Sequence, residues 1–91
     1  NIIAFRDISP QAPVHILFVP KQKFATLNDV PDSEALLLGK LMLSAQAYAK
    51  SIGIAEEGYR VVMNCNRNGG QTVFHIHMHL IGGAALTGGF A

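Results

Sequence analysis

Short runs of apolar residues alternate with polar, proline-rich and glycine-rich breaks along this 91-residue chain, and the period within each run selects an element. "IIAFR" (2–6) and "VHILFVP" (14–20) are rich in β-branched and aromatic side chains and read as strands, the second ended by Pro20. Between them "DISPQAP" carries prolines and an Asp-Ile-Ser-Pro turn signal that forbid a regular element. "KQKFATLNDV" reads as a loop with a short turn of helix. After Pro31, Asp32 or Ser33 can cap free amides, Glu34 suits a first turn and Gly53 supplies a left-handed stop, so a helix is predicted over 33–52. Its core face holds Leu37, Leu41, Tyr48 and Ile52, with Leu38, Met42, Ala45 and Ala49 alongside. Leu36, Leu43 and Ala47 lie off that stripe and point to a second subunit, unless they are scattered exposed side chains.

"GYRVVMN" (58–64) reads as a third strand, "CNRNGG" as a turn, and 71–81 as a last strand before the small-residue tail "GGAALTGGFA". Strand, strand, helix, strand, strand with a short final connection predicts an α+β domain: an antiparallel sheet with one long helix packed on it. A single domain is expected over 1–91, and the opening "NIIAF" reads as the interior of something longer, with a segment expected before Asn1.

Composition narrows the function. A net charge of +1 gives no basic excess for gripping nucleic-acid backbones, so a phosphate partner should be small. The one cysteine, Cys65, excludes an internal disulfide and a cysteine-based zinc cluster, and leans toward a cytoplasmic location. Lys40 interrupts the longest apolar helix candidate, no run is long enough for a membrane span, and no signal peptide is visible.

The chemistry sits in "VFHIHMHLIGG" (73–83), which holds three of the four histidines at every second position. On a strand His75, His77 and His79 share one face, about 7 Å apart along it, while Phe74, Ile76, Met78 and Leu80 share the other and go to the core. His15, on the second strand, adds a fourth imidazole if that strand is near. Three readings compete. The imidazoles could be the outward residues of an amphipathic strand, or could present His-x-His to zinc, although no Asp, Glu or Cys on the same strand completes such a site. The third is catalysis on a phosphoryl group, which the preceding "NRNGGQTV" favours. Gly69 and Gly70 let backbone approach an anion, and Asn64, Gln71 and Thr72 add neutral donors. Imidazole can serve as nucleophile, acid or charge stabiliser near neutral pH without perturbation.

"HIHMHLI" has the alternating form of the histidine triad family, and "AFRDISPQAPVHILFVPK", "GYRVVMN" and "GGQTVFHIHMHLIGG" together resemble its nucleotide-binding branch. The resemblance covers residues 3–83. It implies a homodimer in which strands of both subunits join into one larger sheet, with a purine nucleotide site on each. It implies hydrolysis of nucleoside 5′-phosphoramidates through a nucleotidyl-histidine, giving AMP and an amine, with no metal or cofactor required. Residue by residue, His77 matches the nucleophile, His79 and His15 the imidazoles that contact phosphate oxygens, and His75 the one that supports them. Asn64, Gly70 and Gln71 fall at the phosphate region, and Thr72 stands where a serine usually helps protonate the amine. Asp7 matches the acid that takes the ribose hydroxyls, and Phe5 and Ile8 line the base pocket. Arg6 stands where the branch often has histidine, and the tail lacks a tryptophan-bearing end. The rival functions are a dinucleoside polyphosphate hydrolase, from which "DISPQAP" and "LIGG" point away, and a nucleotide-binding scaffold whose catalysis is incidental.

Overall fold

Proline and glycine set where the chain may not ladder, and the apolar runs between them pair. In a computed structural model that describes residues 1–88, β1 (Ile2–Arg6), β2 (Val14–Pro20), α1 (Ala35–Ser51), β3 (Tyr59–Val62) and β4 (Met78–Gly82) follow in that order. The strands form one antiparallel sheet ordered β1-β2-β4-β3 with the single α-helix against it, the predicted α+β architecture. Ile16, Phe18, Met78 and Leu80 bury toward Leu41, Ala45 and Ala49 of α1, and Leu41 and Leu80 are fully enclosed. Alternation along β2 and β4 makes this inevitable, since every second side chain of each faces the helix. No helix among the described residues is long and apolar enough to cross a membrane.

Several boundaries differ from the sequence reading, among them β3, expected over 58–64 and observed as Tyr59–Val62. The helix is preceded by a 3-10 turn at Asp32–Glu34, and Glu34 occupies its N-cap without a side-chain hydrogen bond, so neither Asp32 nor Ser33 caps it. Gly53, at φ +80°, does supply the stop. The turn expected in 21–30 is a 3-10 element at Leu27–Asp29 closed by a Thr26–Asp29 capping box. The largest change is in the last strand, expected over 71–81 and observed only from Met78. Pairing of β2 with β4 runs from Val14↔Gly82 to Phe18↔Met78. Continued, it would bring Ile76 to Pro20, which has no N–H to give, so the ladder stops. The Ile76 amide instead donates to the carbonyl of Phe24 (2.8 Å).

Along α1 the predicted face is only partly covered: Leu37, Leu41, Ala45 and Ala49 are buried, Met42 and Ile52 are exposed. Leu36 and Leu43, off the stripe, are also exposed. The tail residues 89–91 lie outside the described residues.

Candidate active site

Although 71–77 is not a strand and the chain bends at 73–75, the alternation of β4 extends back to His75. Ile76, Met78 and Leu80 are buried on the helix side, and His75, His77 and His79 are half-buried on the other. Phe74 departs from the expected pattern: it precedes Ile76 where the backbone bends, and half of it is exposed. With no helix over it, this side of the sheet forms a cleft of about 470 Å³. Thr72, Val73, His75, His77 and His79 make one wall; Leu17 and Val19 of β2 and Phe5 to Ile8 make the other. Register explains the meeting, because Phe5 pairs with Leu17, and Leu17 with His79, placing all three in one row.

Each imidazole is held by a different partner. His75 Nε2 lies 2.8 Å from the Pro20 carbonyl and donates to it, tying this segment to the end of β2. His77 Nδ1 lies 2.8 Å from the carbonyl of His75. A carbonyl only accepts, so the proton is on Nδ1 and Nε2 of His77 carries the lone pair. The rings of His77 and His79 stand edge to face, 5.0 Å apart. His79 Nδ1 lies 2.9 Å from His15 Nε2. Burial, then the neighbouring imidazoles of His77 and His15, lower the pKa of His79 below the usual 6.5, against a weaker upward pull from Asp7. His79 is therefore neutral at pH 7.

His15, expected to touch phosphate oxygens, is 5% exposed, is not among the residues lining this cleft, and stands behind His79. Its Nε2 is 3.4 Å from Asp7 Oδ2, and its Nδ1 accepts the peptide N–H of Gln11 at 3.0 Å. Asp7 in turn accepts the Ser9 N–H on Oδ1 (2.8 Å) and remains at the cleft rim.

The groups of the "NRNGGQTV" segment, expected to converge on an anion, mostly bond to one another. Gly70 N–H donates to Arg67 O and Gln71 N–H to Asn66 O. Gln71 is buried, its Nε2 donating to Ala25 O and Val73 O while its Oε1 accepts from Asn66 N–H. Asn64 donates its amide to Gly69 O at 2.7 Å. A Cβ on Gly69 would run into the Cys65 backbone, so that glycine answers local packing. Of this group Thr72 and Val73 reach the cleft wall, and of the two only Thr72 carries a polar side chain. Gln11 is the group that sequence reasoning does not find, since a backbone donor has no residue signature.

Asp7, His15 and His79 present ligand atoms within 4.8 Å of one another, a spacing a metal ion could span. The hydrogen bonds disfavour it: with Nδ1 of His15 accepting from Gln11, Nε2 could bind a metal only as an imidazolate or after that bond is lost.

This geometry, an antiparallel sheet with one helix and a row of alternating imidazoles on its open side, is that of a known family. The HIT domain profile matches residues 1–86. The chain is 54% identical over 85 residues to the purine nucleoside phosphoramidase of Escherichia coli strain K12, spanning 93% of this chain and 71% of that protein. Among solved structures, a HIT family hydrolase from Legionella pneumophila Philadelphia 1 superposes with a TM-score of 0.93 at 52% identity, over 96% of this chain and 78% of that one. A histidine triad protein from Clostridium difficile gives 0.94 at 38% identity, over 98% and 77%. The chain belongs to the HIT family.

Proposed function

We propose that this protein hydrolyses purine nucleoside 5′-phosphoramidates, with His77 as nucleophile. The observation that carries the reading is the His77 Nδ1–H bond to the His75 carbonyl, which leaves Nε2 with an unshared pair in a cleft beside a neutral His79. Similarity to a relative named purine nucleoside phosphoramidase supports the choice of substrate.

The reaction runs in two displacements. Nε2 of His77 forms a bond to the α-phosphorus as the phosphorus–nitrogen bond to the amine breaks, and the departing amine takes a proton, for which Thr72 on the wall is the assigned donor. The His77 ring then holds the phosphoryl group on Nε2 and its proton on Nδ1, so it is cationic and its bond to the His75 carbonyl becomes charge-assisted. Water next attacks phosphorus and returns a proton to Thr72, the bond to Nε2 breaks, and AMP leaves with the neutral imidazole restored. His79 supplies a neutral donor to the charge on the phosphoryl oxygens. Asp7 takes the ribose hydroxyls, and the purine lies against Phe5 and Ile8, whose side chain is 98% exposed and gains from being covered. The scheme needs no metal.

The outward face of α1 (Leu36, Met42, Leu43) and the unpaired edge of β3 are assigned to a second copy of the chain in a sheet-extending homodimer, to be checked by solution mass. A cytoplasmic location fits a nucleotide substrate.

Incubation with adenosine 5′-phosphoramidate, followed by intact mass after rapid quenching and by an assay of released amine, tests the reading. Amine release with a transient AMP adduct on His77 is expected. Tight AMP binding with neither adduct nor amine overturns it in favour of a nucleotide-binding partner, and faster turnover of dinucleoside polyphosphates would move it to that class.

A further inference from the structure

His77 and His79 are the same residue type two positions apart in one wall, yet the proposed reaction asks opposite things of them: a lone pair from one, a proton from the other. A neutral imidazole offers both, and which edge faces the ligand depends on its tautomer. For His77 the tautomer follows from the His75 carbonyl. For His79 it follows from a longer chain of bonds that begins outside the cleft.

A peptide N–H can only donate. The Gln11 N–H lies 3.0 Å from His15 Nδ1, so that nitrogen must be the acceptor and carries no proton. The proton of neutral His15 is therefore on Nε2, which faces His79 Nδ1 at 2.9 Å and Asp7 Oδ2 at 3.4 Å. His79 Nδ1 must then accept, and its own proton sits on Nε2, the remaining polar edge of a ring that lines the cleft. The starting donor is well anchored. Pro10 and Pro13 flank it, the Asp7 N–H donates to the His15 carbonyl at 3.0 Å, and the Ser9 N–H closes onto the Asp7 carboxylate.

We infer that the peptide N–H of Gln11 is a positioning group: through buried His15 it locks His79 in the tautomer that turns an N–H, rather than a lone pair, toward a bound phosphoryl group. His15 acts through His79 and does not touch substrate. The same loop carries Asp7, so it both holds the ribose acid and sets the donor at the phosphate. The catalytic part of this inference rests on the phosphoramidase reading; the tautomers do not.

A long-range proton–nitrogen spectrum of the ligand-free protein, labelled with nitrogen-15 at histidine and taken at neutral pH, reads each ring's tautomer from its nitrogen shifts. The proton is expected on Nε2 of His15 and His79, and on Nδ1 of His77. A proton on Nδ1 of His79, or an even mixture, overturns the inference. Gln11→Pro deletes the donor and Gln11→Ala keeps it. The first should bring His79 to a mixture of tautomers and lower kcat about 10- to 100-fold with KM changed less than about threefold, and the second should stay within about twofold of the parent. Equal effects of the two substitutions would overturn it. If Gln11→Pro does not fold, an ester in place of the Pro10–Gln11 amide removes the same hydrogen and carries the same expectations. Expected tautomers in a protein without phosphoramidate turnover would sink the proposed function and leave the Gln11 assignment of tautomer standing.

Discussion

Two polar connections flank the histidines, residues 7–13 and residues 66–73, and they use their hydrogen bonds differently. The 7–13 loop directs them outward: its Gln11 amide goes to His15, and its Asp7 carboxylate faces both His15 and the cleft. The 66–73 loop directs most of them inward, with Gln71, Asn66, Arg67 and Gly70 closing on one another and Asn64 closing on Gly69, while one Gln71 bond leaves the loop for the Ala25 carbonyl. Residues 66–73 hold three side-chain amides and 7–13 only Gln11, so composition alone would favour 66–73 as the phosphate cradle. The contrast teaches that donor groups in a loop count toward a site only after the loop's own hydrogen bonds are accounted for, because a donor already paired within the loop must give up that bond to serve a ligand.

The sharpest break of this contrast is at the histidine wall itself. His77→Ala should lower turnover of adenosine 5′-phosphoramidate by at least about 10⁴-fold while AMP binding stays measurable, because the covalent step is lost outright. Substantial residual turnover would remove His77 from the nucleophile's place. Next comes Gln71→Ala in the inward loop. Three hydrogen bonds of a buried amide disappear, and unfolding titrations should show a loss of about 2–4 kcal/mol with kcat of the folded protein little changed. A large fall in kcat with unchanged stability would mean that Gln71 serves the ligand after all.

The outward loop should answer in the reverse sense. Asp7→Ala is expected to weaken ribonucleotides about tenfold or more and 2′,3′-dideoxy analogues much less, with stability changed by no more than about 1 kcal/mol. Equal losses for both ligands would take Asp7 off the sugar. The smallest effect concerns pH. Since the pKa of His79 is lower folded than its ordinary 6.5, the unfolded chain binds the proton more readily, and this group's contribution makes stability fall as pH drops below about 6.5 until folded His79 also protonates. His79→Asn should flatten that limb in thermal unfolding, and an unchanged slope would place the titration elsewhere.

Much of the fold is legible in the chain because it depends on local periods. Val14 to Pro20 and Met78 to Gly82 alternate, α1 repeats its apolar positions every three or four residues, and Pro20 and Gly53 end their elements for backbone reasons. The histidine face follows from the same alternation, which is why its three imidazoles share one wall even where the ladder has stopped. The early end of that ladder is not legible, because it depends on a register partner, Pro20, that lies far away in sequence.

Side-chain type and spacing alone therefore settle the sheet-and-helix architecture, the apolar side of β4 and the identity of the imidazole wall. Which donors remain free, which histidine is buried behind another, and on which nitrogen each ring carries its proton emerge only when distant parts of the chain meet. Those properties depend on single hydrogen bonds between backbone and ring atoms, as between Gln11, His15 and His79, and a hydrogen-bond partner is a matter of position in space that residue type does not encode.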